Sequence, residues 1–278
     1  MEASANVHER TVASFGSEWA RFDQSRTTEE ELRRLFSEYF DIFPWELLPE
    51  GARGADIGCG SGRWARLVAG RVSELHCVDA SEEAIVVARQ NLSSLENVVF
   101  HRAGVDSLPF ENDSLDFAYS LGVLHHVPDT VRALAACVRK LKRGAPFLVY
   151  LYYAFDNQPR WYRILWRFSD GARRVISHLP PRVRDALCDG LATIVYWPLA
   201  RVARLASRTG LPVARFPLSV YRDRSFYSMR TDSRDRFGTP LEKRFRAEEI
   251  REMMTRAGLA GIRFSASPPY WCAVGFRS

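Results

Sequence analysis

The chain has 278 residues, 46% apolar and 12% aromatic, enough for one large domain or a domain carrying a sizeable insertion. It has no run of 18 uncharged apolar residues and no apolar export signal near Met1, and its five scattered cysteines (Cys59, Cys77, Cys137, Cys188, Cys272) form no Cys-x-x-Cys pair; these features argue against a spanning helix, a metal site or a disulfide framework, and suit a reduced, cytoplasmic protein. The net charge of +6 is uneven, because residues 154–240 hold sixteen arginines, seven aspartates and neither lysine nor glutamate, for +9 there and −3 elsewhere.

Residues 1–50 predict an N-terminal helical flap. Phe15, Trp19 and Phe22 fall at helical spacing, as do Leu32, Leu35, Phe36, Tyr39, Phe40 and Phe43. From residue 52 strands and helices alternate: strand 52–57, helix 62–70, strand 74–78, helix 81–94 capped by Ser81, strand 98–102, strand 115–120, helix 129–142 and strand 146–152. Continuous apolar runs of this kind suit a parallel sheet covered on both faces. The alternation stops over 154–240 and resumes with helix 247–257 and strands 261–265 and 272–276. An insertion after the fifth strand lies at the strands' carboxyl ends, where such sheets bind ligands, and it reads as an Arg-rich lid or substrate subdomain of a single domain.

The first strand runs into Gly58-Cys59-Gly60-Ser61-Gly62. Glycines here let the backbone turn sharply and approach a ligand with no Cβ in the way. A helix start beyond them suits an anionic group. Asp79, ending the second strand, is placed to take the two hydroxyls of a ribose. A nucleoside with an anionic tail is the implied ligand.

Asp56-x-Gly58-x-Gly60-x-Gly62, then Asp79, then Leu108-Pro109-Phe110 with Asp116, then Leu124-His125-His126-Val127 together resemble a class I S-adenosylmethionine-dependent methyltransferase of the small-molecule branch. The resemblance covers 52–152 and, more loosely, 241–278. It implies a Rossmann-like α/β sheet of seven strands in the order 3-2-1-4-5-7-6. It also implies S-adenosyl-L-methionine as cofactor, with Asp56, Gly58, Cys59 and Gly60 around the methionyl part, Asp79 and Ala80 at the ribose, Val105 and Asp106 at the adenine, and Leu121 at the amino group. Phe15 and Trp19 match an aromatic flap over the cofactor. Relatives carry Asp where this chain has Gly104, so either Asp106 substitutes or the backbone at Val105 reads the adenine. A nicotinamide dehydrogenase would need Gly-x-Gly-x-x-Gly, and Arg63 stands at its third glycine.

Methyl transfer from a sulfonium mainly requires nucleophile and methyl to be held in line, with proton removal in some cases. The resemblance places His126 beside the cofactor; His126, and after it His125, is the candidate base, with packing alone as the competing role. Tyr152 and Tyr153 at the exit of the fifth strand, and Trp161 and Arg236 in the insertion, are candidate substrate residues. An arginine-only segment suits an internally paired lid, an anionic small molecule or, through a basic amphipathic helix (Arg201, Arg204, Arg208), a peripheral contact with anionic lipid. The absence of lysine and of an RNA module argues against nucleic acid. The expected function is methyl transfer to a small acceptor, at oxygen; the alternatives are a tRNA methyltransferase or a cofactor-binding regulator without turnover. The oligomeric state has no sequence signal.

Overall fold

The alternation after residue 52 becomes a seven-stranded sheet in the computed structural model, which describes residues 6–213 and 215–278. The elements run α1 (Glu9–Arg21), α2 (Glu29–Phe40), β1 (Arg53–Ile57), α3 (Ala65–Val68), β2 (Glu74–Asp79), α4 (Glu82–Asn91), β3 (Val98–Arg102), β4 (Phe117–Leu121), α5 (Thr130–Val138) and β5 (Pro146–Tyr150). Then come α6 (Arg160–Ile176), α7 (Pro181–Leu191), α8 (Trp197–Arg208), α9 (Phe226–Gly238), α10 (Ala247–Arg256), β6 (Leu259–Phe264) and β7 (Cys272–Arg277). They gather into two units. One holds the chain up to Ser25, Leu32–Ala154 and Leu241–Ser278; the other holds Arg26–Glu31 and Phe155–Pro240.

In the first unit the strand order is β3-β2-β1-β4-β5-β7-β6, as expected. β1 to β5 pair in parallel, and β7 runs antiparallel to both β5 and β6. Successive side chains of a strand point to opposite faces, so the sheet carries two cores. Ala55, Ile57, Ala118, Phe147 and Val149 pack with α5 and α10. Leu75, Cys77, Phe117, Tyr119 and Leu148 pack on the other side with Phe36, Phe40, Trp64 and Ile85. Covered on both faces, the strands need no polar alternation.

Several element bounds differ from the sequence expectation, among them those of α3, β4 and α5. The helix after the glycine loop is only Ala65–Val68, because Gly62 at φ +75° cannot be helical. β4 starts at Phe117, and α5 stops at Val138. Both shifts share a cause: the Leu115 N–H donates to the Lys140 carbonyl and the Leu115 carbonyl accepts from the Lys142 N–H, which draws residues 139–142 out of the helix.

In the second unit α9 packs against α6 and α7, around a small core of Cys188, Tyr196, Ala200, Met229 and Phe237. Its arginines are divided between interior and surface. Arg234 is 1% exposed and donates to Asp185 at 2.8 Å. Arg230 grips Asp189 with two bonds of 3.0 and 2.8 Å, and Arg173 donates to Asp170 and to the carbonyls of Thr239 and Pro240. A rigid, multi-donor guanidinium satisfies several acceptors at once, which an ammonium on a flexible stem does poorly; this accounts for arginine at those positions.

Candidate functional site

A cleft opens in the first unit at the carboxyl ends of β1, β2 and β4, with α1 along its rim. Gly58, at the start of the glycine loop, lines its floor, and the rest of the loop lies behind it. Gly58 sits at φ +81°, and a Cβ there would stand 2.4 Å from the Val123 side chain. Gly60, at φ +54°, lies under the Trp19 indole, which a Cβ would meet at 2.7 Å. Left-handed backbone and close approach together restrict both positions to glycine. The Asp79 carboxylate accepts from the Gly60 N–H at 3.0 Å and the Ser81 N–H at 2.9 Å, so loop and strand end are tied together. Burial pushes the Asp79 carboxyl above its ordinary range, against these backbone donors.

The rim is pinned by one residue. Asn6 donates from its backbone to Asp106 at 2.7 Å, and its amide side chain exchanges two bonds with the backbone of Asp129 at 2.7 and 2.6 Å. Asp106 also pairs with Arg132 at 2.7 Å. From this anchor α1 starts at a His8 cap and carries Phe15 and Trp19 to the cleft.

His126 lines the cleft, 4.9 Å from the Phe15 ring. Its Nδ1 lies 2.6 Å from the Leu241 carbonyl. A carbonyl can only accept, so Nδ1 carries the proton and Nε2 is the basic nitrogen. His125 is fully buried between His126 and the Tyr152 ring, at 4.0 and 3.9 Å. Neither of its nitrogens has a hydrogen-bond partner among the described residues. Burial, with His126 and Arg244 nearby, holds it well below the ordinary imidazole range, so it is neutral.

Of the residues named from sequence, Phe15, Trp19, Gly58, Asp79, Ala80, Val105, Leu121 and His126 line the cleft. Asp56, Cys59, Gly60 and Asp106 stand behind it. Asp56 is 1% exposed and takes a hydrogen bond from Tyr119 at 3.0 Å. Tyr152 lies against His125, His126 and Arg244, while Tyr153 faces the other way, toward Tyr270 and Trp271. Trp161 and Arg236 belong to the second unit: Trp161 is exposed on α6, and Arg236 packs on Trp166 and Phe237 beside Ser169. The sequence reading did not name Asn6, His8, Thr11, Gly122 or Val123, which also line the cleft. Gly122, at φ +80° directly after β4, had a signal in its position at a strand end.

A ubiquinone biosynthesis O-methyltransferase of Alkalilimnicola ehrlichii is 32% identical over 183 residues, 65% of this chain and 72% of that protein. The chain belongs to the S-adenosylmethionine-dependent methyltransferases. The family model for the methyltransferase domain matches residues 55–149 of this methyltransferase. The ubiquinone biosynthesis O-methyltransferase of Xanthomonas oryzae is 30% identical over 144 residues, 51% of this chain and 60% of that protein, so the chain spans about three fifths of that relative's length. A solved candidate O-methyltransferase of Nostoc punctiforme shares the fold, with a TM-score of 0.51 at 14% identity over 93% of this chain and 60% of that one.

The cleft fits the methyltransferase cofactor. Asp79 supplies a carboxylate for a diol, and Val78, Ala103 and Val105 supply apolar walls for a base. A Cβ built on Gly122 would meet nothing within 4 Å, so the cleft keeps open space where any other residue would intrude.

Proposed function

We propose that this methyltransferase moves the methyl group of S-adenosylmethionine onto a hydroxyl oxygen of a small-molecule acceptor. The observation that carries the reading is the convergence, in one cleft, of the Asp79 carboxylate, the glycine loop and an imidazole whose basic nitrogen is fixed by Leu241. The named O-methyltransferase relatives support oxygen as the acceptor atom.

The cofactor supplies an electrophilic methyl on a good leaving group. What remains for the protein is to hold the acceptor in line and to take one proton. Bound acceptor hydroxyl would give its proton to Nε2 of His126, while the Leu241 carbonyl stabilises the Nδ1–H of the resulting imidazolium. The Phe15 ring beside His126 presents apolar surface suited to a flat or lipophilic acceptor.

Calorimetry with S-adenosylhomocysteine tests the cofactor part; absence of binding would overturn it. Turnover with a panel of phenols, catechols and amines tests the acceptor. His126→Ala is expected to lower kcat with a phenolic acceptor by about 10²- to 10⁴-fold, with S-adenosylhomocysteine affinity within about threefold of the parent. Methylation of amines alone would exclude oxygen.

A further inference from the structure

We propose that the outer face of α6 docks on an anionic lipid surface. α6 is amphipathic with its apolar side turned outward. Asp170 and Arg173 face the interior of the second unit, where they pair at 2.8 Å. On the opposite side Trp161, Ile164, Leu165, Phe168 and Val175 recur at i, i+3, i+4, i+7 and i+14, and Phe168 is 75% exposed. An isolated exposed leucine means little, but five large apolar side chains on one helical face form a continuous surface that water penalises.

The charges beside this stripe select its partner. Arg160, Arg163 and Arg167 follow its border and are solvent-exposed, and none of their guanidinium groups makes an ion pair or hydrogen bond among the described residues. The acid of this helix, Asp170, is turned inward and held by Arg173 and Arg174. The outer face therefore offers apolar side chains and free guanidinium groups with no carboxylate among them. That pairing suits the boundary between acyl chains and anionic headgroups, where long arginine stems lie along apolar surface and their heads reach phosphate. RNA would use the arginines and the aromatics but leave Ile164, Leu165 and Val175 in water. The arginines of α8 are a poorer lipid surface, because Arg201 donates to the carbonyls of Arg222 and Arg224 and Arg204 pairs with Asp223. Among the described residues no helix is long and apolar enough to cross a membrane.

The test is cosedimentation of the full chain with vesicles of phosphatidylcholine alone or mixed equally with phosphatidylglycerol. Binding is expected with the mixed vesicles and to fall as salt rises. Phe168→Asp should weaken it about tenfold or more, because one fully inserted aromatic is replaced by a charge. Arg163→Ser combined with Arg167→Ser should weaken it as well, with little residual salt dependence. Unchanged S-adenosylhomocysteine affinity and melting temperature in both variants show that the fold is intact. Equal vesicle binding by parent and Phe168→Asp overturns the proposal. So does a dimer in light scattering that Phe168→Asp disperses, which would assign the face to a second copy, or an RNA gel shift without vesicle binding.

Discussion

Asp56 and Asp79 lie near the ends of neighbouring strands, yet their carboxyls meet different surroundings. Asp79 stands at the cleft with two backbone N–H donors, whereas Asp56 is sealed beneath with the Tyr119 hydroxyl. Burial pushes the Asp56 carboxyl up to about 8 from 3.8, with the nearby Asp79 adding to the rise and the Tyr119 bond opposing it. Between these two values the folded chain holds a proton that the unfolded chain releases. Stability attributable to Asp56 is thus present at low pH and lost as pH rises through this window, by up to about 1.4 kcal/mol per pH unit. Asp56→Asn should flatten that part of the curve in denaturant titrations across the window; identical slopes would mean that Asp56 ionises freely. Asp79→Ala should weaken S-adenosylhomocysteine binding by about 1.5–3 kcal/mol, the value of a charge-assisted contact, read by calorimetry. Asp79→Asn serves as control for the Gly60 and Ser81 bonds. The motif spacing made both acids visible in the sequence. It could not separate a cleft-facing carboxyl from a sealed one, because that depends on Tyr119, 63 residues further along the chain.

At the scale of elements, the glycine loop and α1 depend on each other. Trp19 rests where a Cβ on Gly60 would stand, so Gly60→Ala must move the indole as well as strain a left-handed backbone. A loss of about 1–3 kcal/mol of stability is expected, together with weaker S-adenosylhomocysteine binding, measured by melting and calorimetry. Parent-like values in both would show that α1 does not seat on the loop. The strands were legible from their apolar runs, and the sheet order followed from the resemblance. The rim was not. Asn6 holds Asp106 and Asp129 from 100 and 123 residues away, and a lone polar residue before a helix carries no pattern that announces such a bridge. The second unit was legible in composition but not in arrangement. Sixteen arginines look alike in a sequence, and only their pairing shows that Arg234 is interior; Arg234→Ala leaves Asp185 to Arg184 at 3.7 Å and should cost about 1–3 kcal/mol. Denaturant melts monitoring the helices measure that loss.

In sequence, the second unit is inserted between segments of the first, and the path of the backbone makes the two separable in a testable way. Ala154 donates to the Phe245 carbonyl at 2.9 Å, and Tyr153 and Phe245 form a bridge, so the chain leaves and re-enters the first unit at adjacent points. Closing a loop at that place is therefore inexpensive, since the ends are already held and a short flexible linker adds little closure entropy. Every residue that lines the cleft belongs to the first unit. Replacement of residues 155–240 by a short Gly-Ser linker should leave S-adenosylhomocysteine affinity within about threefold of the full chain, because no group in the cleft is removed. Turnover of an acceptor should fall if the second unit contributes to acceptor choice, and vesicle binding should vanish, since α6 is gone. A linker variant that folds by circular dichroism yet fails to bind S-adenosylhomocysteine would place part of the cofactor site in the second unit. One that still sediments with anionic vesicles would move the lipid surface to the first.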